Sequence, residues 1–580
     1  MADFVNLIEN ISLLGARHLN VPLYTSWIDV NEKTSIHTFI AWYNLGCEFS
    51  FAKDLAKAVV SYKNCLVLRP GFEPAALALG QTYASLGEPD QALSVWRKAI
   101  QSDDERTILL NHIGHMQDAI LQRFDEALAT LNTSLLTNPK QLDVIHHWVF
   151  LRQRLCRWPI FENCIPGLSI EEMKDSAGAL STMALIDDAD VQSYHAKNWL
   201  NKNAPHATSR LSPANGYAHD RIRVGYMSTD YRTHPISYLV AELFERHDRS
   251  RFEVYGYCAS ENDGSDIRKR VLASFDKVTS IRDMSDEEAA KAIRQDEIDI
   301  LVDLNGLSRD TRLFVLSWRP APVQMTYLGY IGSIPLPELD YMLCDDFVIP
   351  RDKAHMYQPT PLYLPGTFQV NDTKLPIAPT PTRAVAGLPD DKFVFCCFSS
   401  NWKITEEVFE SWMAILKRTE GAVLWLLADH PSGRQAMQAQ AQLRGVDPAR
   451  LIFTPRVSAS EYLGRLPLAD LFLDTYPYNA GTTASDALRM GVPLVTLSGQ
   501  SYVARMAGSL LRAIGLEWGV SASLTEYVEK AVELALNPVK YADIRKTVSG
   551  DAWRRTIGNI EEFVPQLETI YQSIVKRGRG

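Results

Sequence analysis

A chain of 580 residues, 46% apolar and 22% charged, has an ordinary globular composition but is too long for one core, so about three or four domains are expected. A net charge of −10 argues against nucleic acid as the main partner, because binding a phosphate backbone needs a basic footprint. The eight cysteines form no C-x-x-C pair and fit reduced thiols in a cytoplasmic protein, and no apolar run reaches the ~18 residues of a membrane span.

Residues 1–35 read as a partly helical N-terminal segment. A repeat follows. Gly46, Gly80 and Gly114 are spaced by 34, each after an apolar residue (Leu45, Leu79, Ile113). Ala58 and Ala92 keep that interval, as do Tyr62 and Trp96, while Ala127 and Leu131 come one residue late. Pro70 and Pro139 close the first and third units. This is the tetratricopeptide pattern, in which each antiparallel helix pair buries its face on the next. Repeats and a junction helix are assigned to 36–160. The array offers a concave face for an acceptor protein or peptide, or else a plain spacer. His112 and His115, three apart on one repeat helix, lack the further ligand a metal site needs.

Residues 161–220 read as helices and a linker, rich in Asn, Pro and Ser from Asn201 to Ala214. The style then changes to strands alternating with helices, which is the signature of parallel βαβ units. Arg223–Ser228, Phe252–Tyr257, Asp299–Leu304 and Val323–Leu328 are the strands of a first α/β domain over 221–372. Polar residues follow their ends, notably His234, Asn305 and Tyr330, where a site in such a sheet forms. Pro361–Pro381 reads as a proline-rich linker. A second α/β domain over 385–580 begins at Phe393–Phe398, with Ser400 and Lys403 just beyond the strand. Further strands lie at Ala422–Leu427, Leu451–Phe453, Leu468–Leu473 and Pro493–Leu497.

The turn after Leu473 carries Gly481-Thr482-Thr483 at a helix start. There Gly481 lets backbone approach an anion, and free N–H groups with two hydroxyls suit a phosphate. Thr483-Ala484-Ser485-Asp486 also fits a capping box, which would confine Asp486 to its own helix. No P-loop and no GxGxxG after a strand is present, and Asp345-Asp346 reads as a surface or capping pair. A diphosphate leaving group can be neutralised by a fixed lysine and helix N-termini without a metal, and Lys403 is the candidate.

In order along the chain stand HPISYL (234–239), DLNG (303–306), RPAPVQMTYLGY (319–330), FCCFSSNWKIT (395–405), VLWLL (423–427) and LFLDTYPYNAGTTASDAL (471–488). With the repeats before them, these segments resemble the O-GlcNAc transferase family, its bacterial members especially, over roughly 36–570. SPINDLY-type protein fucosyltransferases and Asn-modifying N-glucosyltransferases share parts of the pattern.

The resemblance implies a GT-B architecture of two Rossmann-like domains after an all-α repeat array, first domain on the acceptor side and second on the nucleotide-sugar side. It implies an inverting transferase with no metal or other cofactor, moving a sugar from a nucleotide donor to a protein side chain. Lys403 would meet the diphosphate, Thr482 and Thr483 the phosphates, Asp486 the ribose, and His234 the acceptor. Ser400 stands where the family has a polar amide, Tyr462 where a ring can pack on the base, and Ala459 where a basic residue is common. Gly481 stands where O-GlcNAc transferases often have His, and Ile331–Pro335 departs from the usual loop after LGY. Asp486 within TASDAL favours UDP-GlcNAc over GDP-fucose. UDP-glucose transfer to Asn, and a non-catalytic tetratricopeptide adaptor, are the alternatives.

Overall fold

A computed structural model describes residues 1–31, 35–100, 107–205, 209–428 and 430–578. Parts of the N-terminal segment (32–34), the repeats (101–106) and the linker (206–208) lie outside the described residues, as do 429 and 579–580. The chain divides into two compact units, Met1–Leu151 with Glu162–Ser176, and Arg152–Phe161 with Ala177–Gly580.

The first unit is helical. Helices Ala2–Leu13 and Asn20–Asn31 precede the pairs Thr38–Phe51 with Leu55–Leu68, Glu73–Ser85 with Pro89–Ile100, and Thr107–Ala119 with Phe124–Thr137. The repeated glycines now have a physical reason. A Cβ on Gly46 would lie 2.5 Å from the Tyr62 ring, one on Gly80 2.1 Å from the Trp96 indole, and one on Gly114 2.4 Å from Leu131. The conserved spacing is therefore a knob from each second helix seated on a bare backbone of the first. Gly80→Ala should lower the urea midpoint of this unit, since overpacking a buried site costs about 1–3 kcal/mol, whereas the exposed Ser85→Ala should not. Equal midpoints for the two variants would contradict this packing.

The second unit holds two parallel sheets. The first contains β1 (Ile222–Ser228), β2 (Phe252–Cys258), β3 (Lys277–Ser280), β4 (Ile300–Asp303), β5 (Val323–Thr326), β6 (Tyr341–Cys344) and β7 (Thr360–Tyr363), in the order β3-β2-β1-β4-β5-β6-β7. The second contains β8 (Val394–Cys397), β9 (Val423–Leu427), β10 (Leu451–Thr454), β11 (Leu471–Leu473), β12 (Leu494–Leu497) and β13 (Val520–Ser521), in the order β10-β9-β8-β11-β12-β13. Central strands β4, β8, β9, β11 and β12 are buried along their whole length, which is why they read as unbroken apolar runs. Both orders reverse direction beside the first strand of their sheet, and ligands of such sheets bind at that switch, beyond the strand carboxyl ends.

Two expectations are corrected. Pro361 does not open a linker but sits in β7, paired with Met342; as an edge strand, β7 tolerates a residue without an N–H. The segment after it, Thr367–Asp372, is buried rather than solvated. The final helix, Ile560–Gly578, lies within the second α/β domain by sequence, yet it packs on the helix Pro235–Arg246 and on β5. Its apolar stripe Ile560, Val564, Leu567, Tyr571, Ile574 and Val575 joins the first domain's core. Glu568 accepts from the buried His247 ring at 3.0 Å, and the Tyr226 and Tyr571 hydroxyls lie 3.2 Å apart. Asp345 is fully buried and caps its own turn, accepting from the N–H groups of Phe347 and Val348, while Asp346 pairs at the surface with Arg512.

Candidate active site

A cavity of about 630 Å³ lies where the two sheets of the second unit meet. From the first sheet it takes Thr233, His234, Pro235 and Tyr238, which follow β1. From the second it takes Phe398 after β8, Leu427 at the end of β9, Thr454–Ala459 after β10, Tyr462, and Thr482, Thr483, Asp486 and Arg489 after β11. Six of the residues singled out in the sequence thus share one wall system: His234, Ala459, Tyr462, Thr482, Thr483 and Asp486.

Helix Thr482–Arg489 begins on Gly481, and no side chain caps its first turn. The capping-box reading of Thr483–Asp486 is therefore wrong: Thr483 is the second helical residue and Asp486 the fifth. The Thr482 and Thr483 hydroxyls make no hydrogen bond among the described residues, so they and the first-turn N–H groups are open to an anion. Gly481 has an ordinary negative φ of −103°, so its freedom of backbone is not what selects it. A Cβ here would come within 3.0 Å of the Gln369 side-chain oxygen, so a larger residue would require that side chain to shift.

Asp486 lines the cavity and accepts no hydrogen bond among the described residues. Burial pushes its carboxyl up to about 7, with Arg489 pulling the other way. The Tyr462 hydroxyl is buried without a partner, and burial together with Asp486 raises its pKa. An unpartnered hydroxyl and an unpartnered carboxylate on one wall suit a ligand that both donates and accepts, as sugar hydroxyls do.

His234 caps the helix Pro235–Arg246: its Nδ1 accepts from the Ile236 N–H at 3.3 Å. In the neutral ring, that bond leaves the proton on Nε2. Burial lowers the pKa of this histidine, opposed by Asp230, whose Oδ2 lies 3.6 Å from Nδ1. Asn305 does not reach the cavity. It donates instead to the same Asp230 carboxylate at 2.7 Å and to the Thr229 hydroxyl at 2.8 Å, so it acts on His234 only through Asp230.

Lys403, Ser400, Gly481 and Tyr330 are likewise not on the cavity lining. Lys403 is half-buried with its Nζ 3.9 Å from the centre of the Tyr478 ring and 5.3 Å from that of Trp402, and no hydrogen bond or ion pair holds it among the described residues. Burial lowers its pKa to about 8, opposed by Asp474, whose own carboxyl burial raises to about 7. Asp474 accepts from the N–H groups of Thr475 and Ala480 and the Thr496 hydroxyl, fixing the loop that runs from Tyr478 to Thr482. Lys403 thus stands beside Tyr478 and Asp474, residues of the loop that leads to Thr482. Ser400 accepts from Arg456 at 3.3 Å, and Tyr330 is buried with its hydroxyl unpartnered.

Arg456, Arg465, Arg489, Asn371, Asp372, Tyr238 and Trp553 line the cavity although the sequence reading did not select them. Arg456 follows β10 directly, so the rule that picked out His234 would have found it. It lies three residues before Ala459, which also lines the cavity. Among the described residues no group of three His, Cys, Asp or Glu side chains is placed to hold a metal ion, and no helix is long and apolar enough to cross a membrane.

Two Rossmann-like sheets facing one cavity, with a helical repeat unit ahead of them in the chain, define the GT-B class with tetratricopeptide repeats. The chain belongs to glycosyl transferase family 41, whose pattern matches residues 193–385 and 376–567. A tetratricopeptide repeat pattern matches 40–72 and 74–106. The chain is similar to a probable UDP-N-acetylglucosamine–peptide N-acetylglucosaminyltransferase SEC of Arabidopsis thaliana, 37% identical over 358 residues, covering 60% of this chain and 37% of that protein. A UDP-N-acetylglucosamine–peptide N-acetylglucosaminyltransferase of Caenorhabditis elegans is 26% identical over 481 residues, covering 63% and 42%. The chain thus spans less than half the length of these curated relatives. Among solved structures, an O-GlcNAc transferase mutant of Thermobaculum terrenum superposes with a TM-score of 0.65 at 24% identity, covering 93% of this chain and 98% of that one, which shows the shared fold.

If sugar hydroxyls donate to Asp486, binding needs its charged form. UDP affinity should then be greatest above about pH 7 and weaken as pH falls below it, and Asp486→Asn should flatten this dependence to what the titration of the UDP phosphate itself contributes. The effect on stability has the opposite sign. Between the ordinary Asp value of about 3.9 and about 7, the folded carboxyl holds a proton the unfolded one has lost, so this group lowers stability as pH rises. Calorimetric titration of UDP across that range checks the first claim; an unchanged pH profile in Asp486→Asn would contradict it.

Proposed function

We propose that this protein is an inverting, metal-independent glycosyltransferase that moves a sugar from a nucleotide donor, UDP-GlcNAc in preference to others, onto protein side chains. The observation that carries this reading is the single cavity faced by His234 from one sheet and by the uncapped helix start at Thr482, with Asp486, from the other. Membership of family 41 and the activities for which its relatives are named support it.

The nucleotide's phosphates lie at the N–H groups and hydroxyls of Thr482 and Thr483, where the helix dipole favours an anion. Asp486 accepts from ribose hydroxyls, and the Tyr462 ring packs against the base. Lys403 has a lowered pKa but remains mostly charged at neutral pH. It neutralises the diphosphate as it departs, when the charge is greatest. The acceptor enters beside His234. With Nδ1 held by the Ile236 N–H, the neutral ring donates from Nε2; to act as a base it must move its proton to Nδ1, where Asp230 can receive the bond. Displacement from the face opposite the nucleotide inverts the anomeric carbon. The tetratricopeptide unit supplies the surface that binds acceptor protein.

Incubation of purified protein with UDP-GlcNAc, UDP-glucose and GDP-fucose, with and without a protein extract, tests the reading. UDP release from UDP-GlcNAc that rises with added acceptor and survives EDTA is the expected result. Nucleotide binding with no release from any donor would make the chain an adaptor. Loss of turnover in chelator, restored by magnesium or manganese, would overturn metal independence.

A further inference from the structure

Helix Thr482–Arg489 presents Asp486 to the cavity on one side. On another, Ser485 and Arg489, one turn apart, grip the segment that joins the two sheets. Arg489 donates to the carbonyls of Asp372 (3.2 Å), Thr373 (3.2 Å) and Leu375 (3.0 Å), and its guanidinium lies 5.1 Å from the Trp553 ring centre. The Ser485 hydroxyl donates to Asn371 at 2.7 Å and accepts from the Trp553 indole at 2.9 Å.

The same segment is anchored to the first sheet's helices. Arg270 binds the Asp372 carboxylate through two bonds of 2.7 and 2.9 Å, and Glu242 accepts from the Thr373 N–H and hydroxyl at 2.8 and 2.7 Å. Residues 371–375 are thus held between the two domains, and Arg489 is the side chain that reaches both this strap and the cavity.

We propose that Arg489 is a positioning residue of the nucleotide site: it ties the helix carrying Asp486 to the strap between the sheets and presents its own charge to Asp486. This rests on the reading that the cavity binds a nucleotide donor. The two roles are separable. The three carbonyl bonds fix where Asp486 stands, and the charge sets how readily Asp486 ionises. Other titratable or charged groups on the cavity walls are His234 and Tyr238 beside the first sheet, Tyr462 and Arg465 from helix Ala459–Arg465, Arg456 before it, and Asp372, which Arg270 neutralises; Glu242 and Arg554 also act on Arg489. Burial already raises Asp486 and Arg489 opposes that rise, so loss of the charge moves Asp486 further up.

The test is calorimetric titration of UDP into the full chain between about pH 5.5 and 8.5, for wild type, Arg489→Lys, Arg489→Gln and Arg489→Met. Arg489→Met should weaken UDP binding about tenfold at neutral pH and move the midpoint of its pH dependence upward. Arg489→Gln keeps hydrogen-bond donors but no charge, so it should move the midpoint as Arg489→Met does. Arg489→Lys keeps the charge and should hold the wild-type midpoint with weaker binding at every pH. Should Arg489→Met fail to fold, the contrast between Gln and Lys decides alone. Identical midpoints for Gln, Lys and wild type would overturn the proposal. A wild type that does not bind UDP at any pH would instead overturn the donor reading beneath it.

Discussion

Lys403→Ala is expected to cut sugar transfer by about a hundredfold or more while UDP binding falls much less. The ammonium lies against two ring faces and makes no ion pair among the described residues, with Asp474 near enough to favour its charge. On the proposed reading its charge matters most as the diphosphate leaves, and an interaction that strengthens toward the transition state appears in turnover before it appears in ground-state affinity. Lys403→Arg should not rescue fully, because the larger planar head must find room against the Tyr478 and Trp402 rings, which already touch edge to face. Measured kcat and calorimetric UDP affinity, on variants shown to be folded, make the comparison. A variant with normal transfer would remove Lys403 from the mechanism.

His234→Ala should do the converse: transfer collapses and UDP binding stays within a fewfold of wild type. This residue comes from the first sheet, across the cavity from the helix start at Thr482, and its ring is held by the Ile236 N–H with Asp230 3.6 Å away. A cap lost to alanine costs about 1 kcal/mol of stability, which a protein of this size tolerates. Asn305→Ala gives an internal check, since Asn305 touches Asp230 and not the cavity. It should lower transfer less than His234→Ala does. If His234→Ala abolished UDP binding, the division into a donor side and an acceptor side would be wrong.

Much of this arrangement was legible in the chain. Strands such as β8 and β9 are buried on both faces and therefore appear as apolar runs, and the residues just past them mark where a site forms. That rule found His234 and the Thr pair. It failed for β3, whose residues are largely exposed and show no apolar alternation, and for β7, where Pro361 imitates a linker. It also picked Asn305 and Tyr330, which follow strands but lie off the cavity, Asn305 bonded to Asp230 and Thr229 and Tyr330 buried. Arg489, Asn371 and Trp553 were illegible for a different reason. They come from the last turn of a helix, a buried strap and a four-residue helix far along the chain, and only the folding of one sheet against the other brings them to a common wall. The final helix follows the same logic: its stripe from Ile560 to Val575 announces a buried face but not which core receives it.

A crystal structure of the full chain with UDP tests the central assignment most directly. The diphosphate should lie against the N–H groups and hydroxyls of Thr482 and Thr483, with ribose hydroxyls on Asp486 and the base beside Tyr462. UDP bound away from the start of the Thr482–Arg489 helix, with that helix end empty, would contradict it.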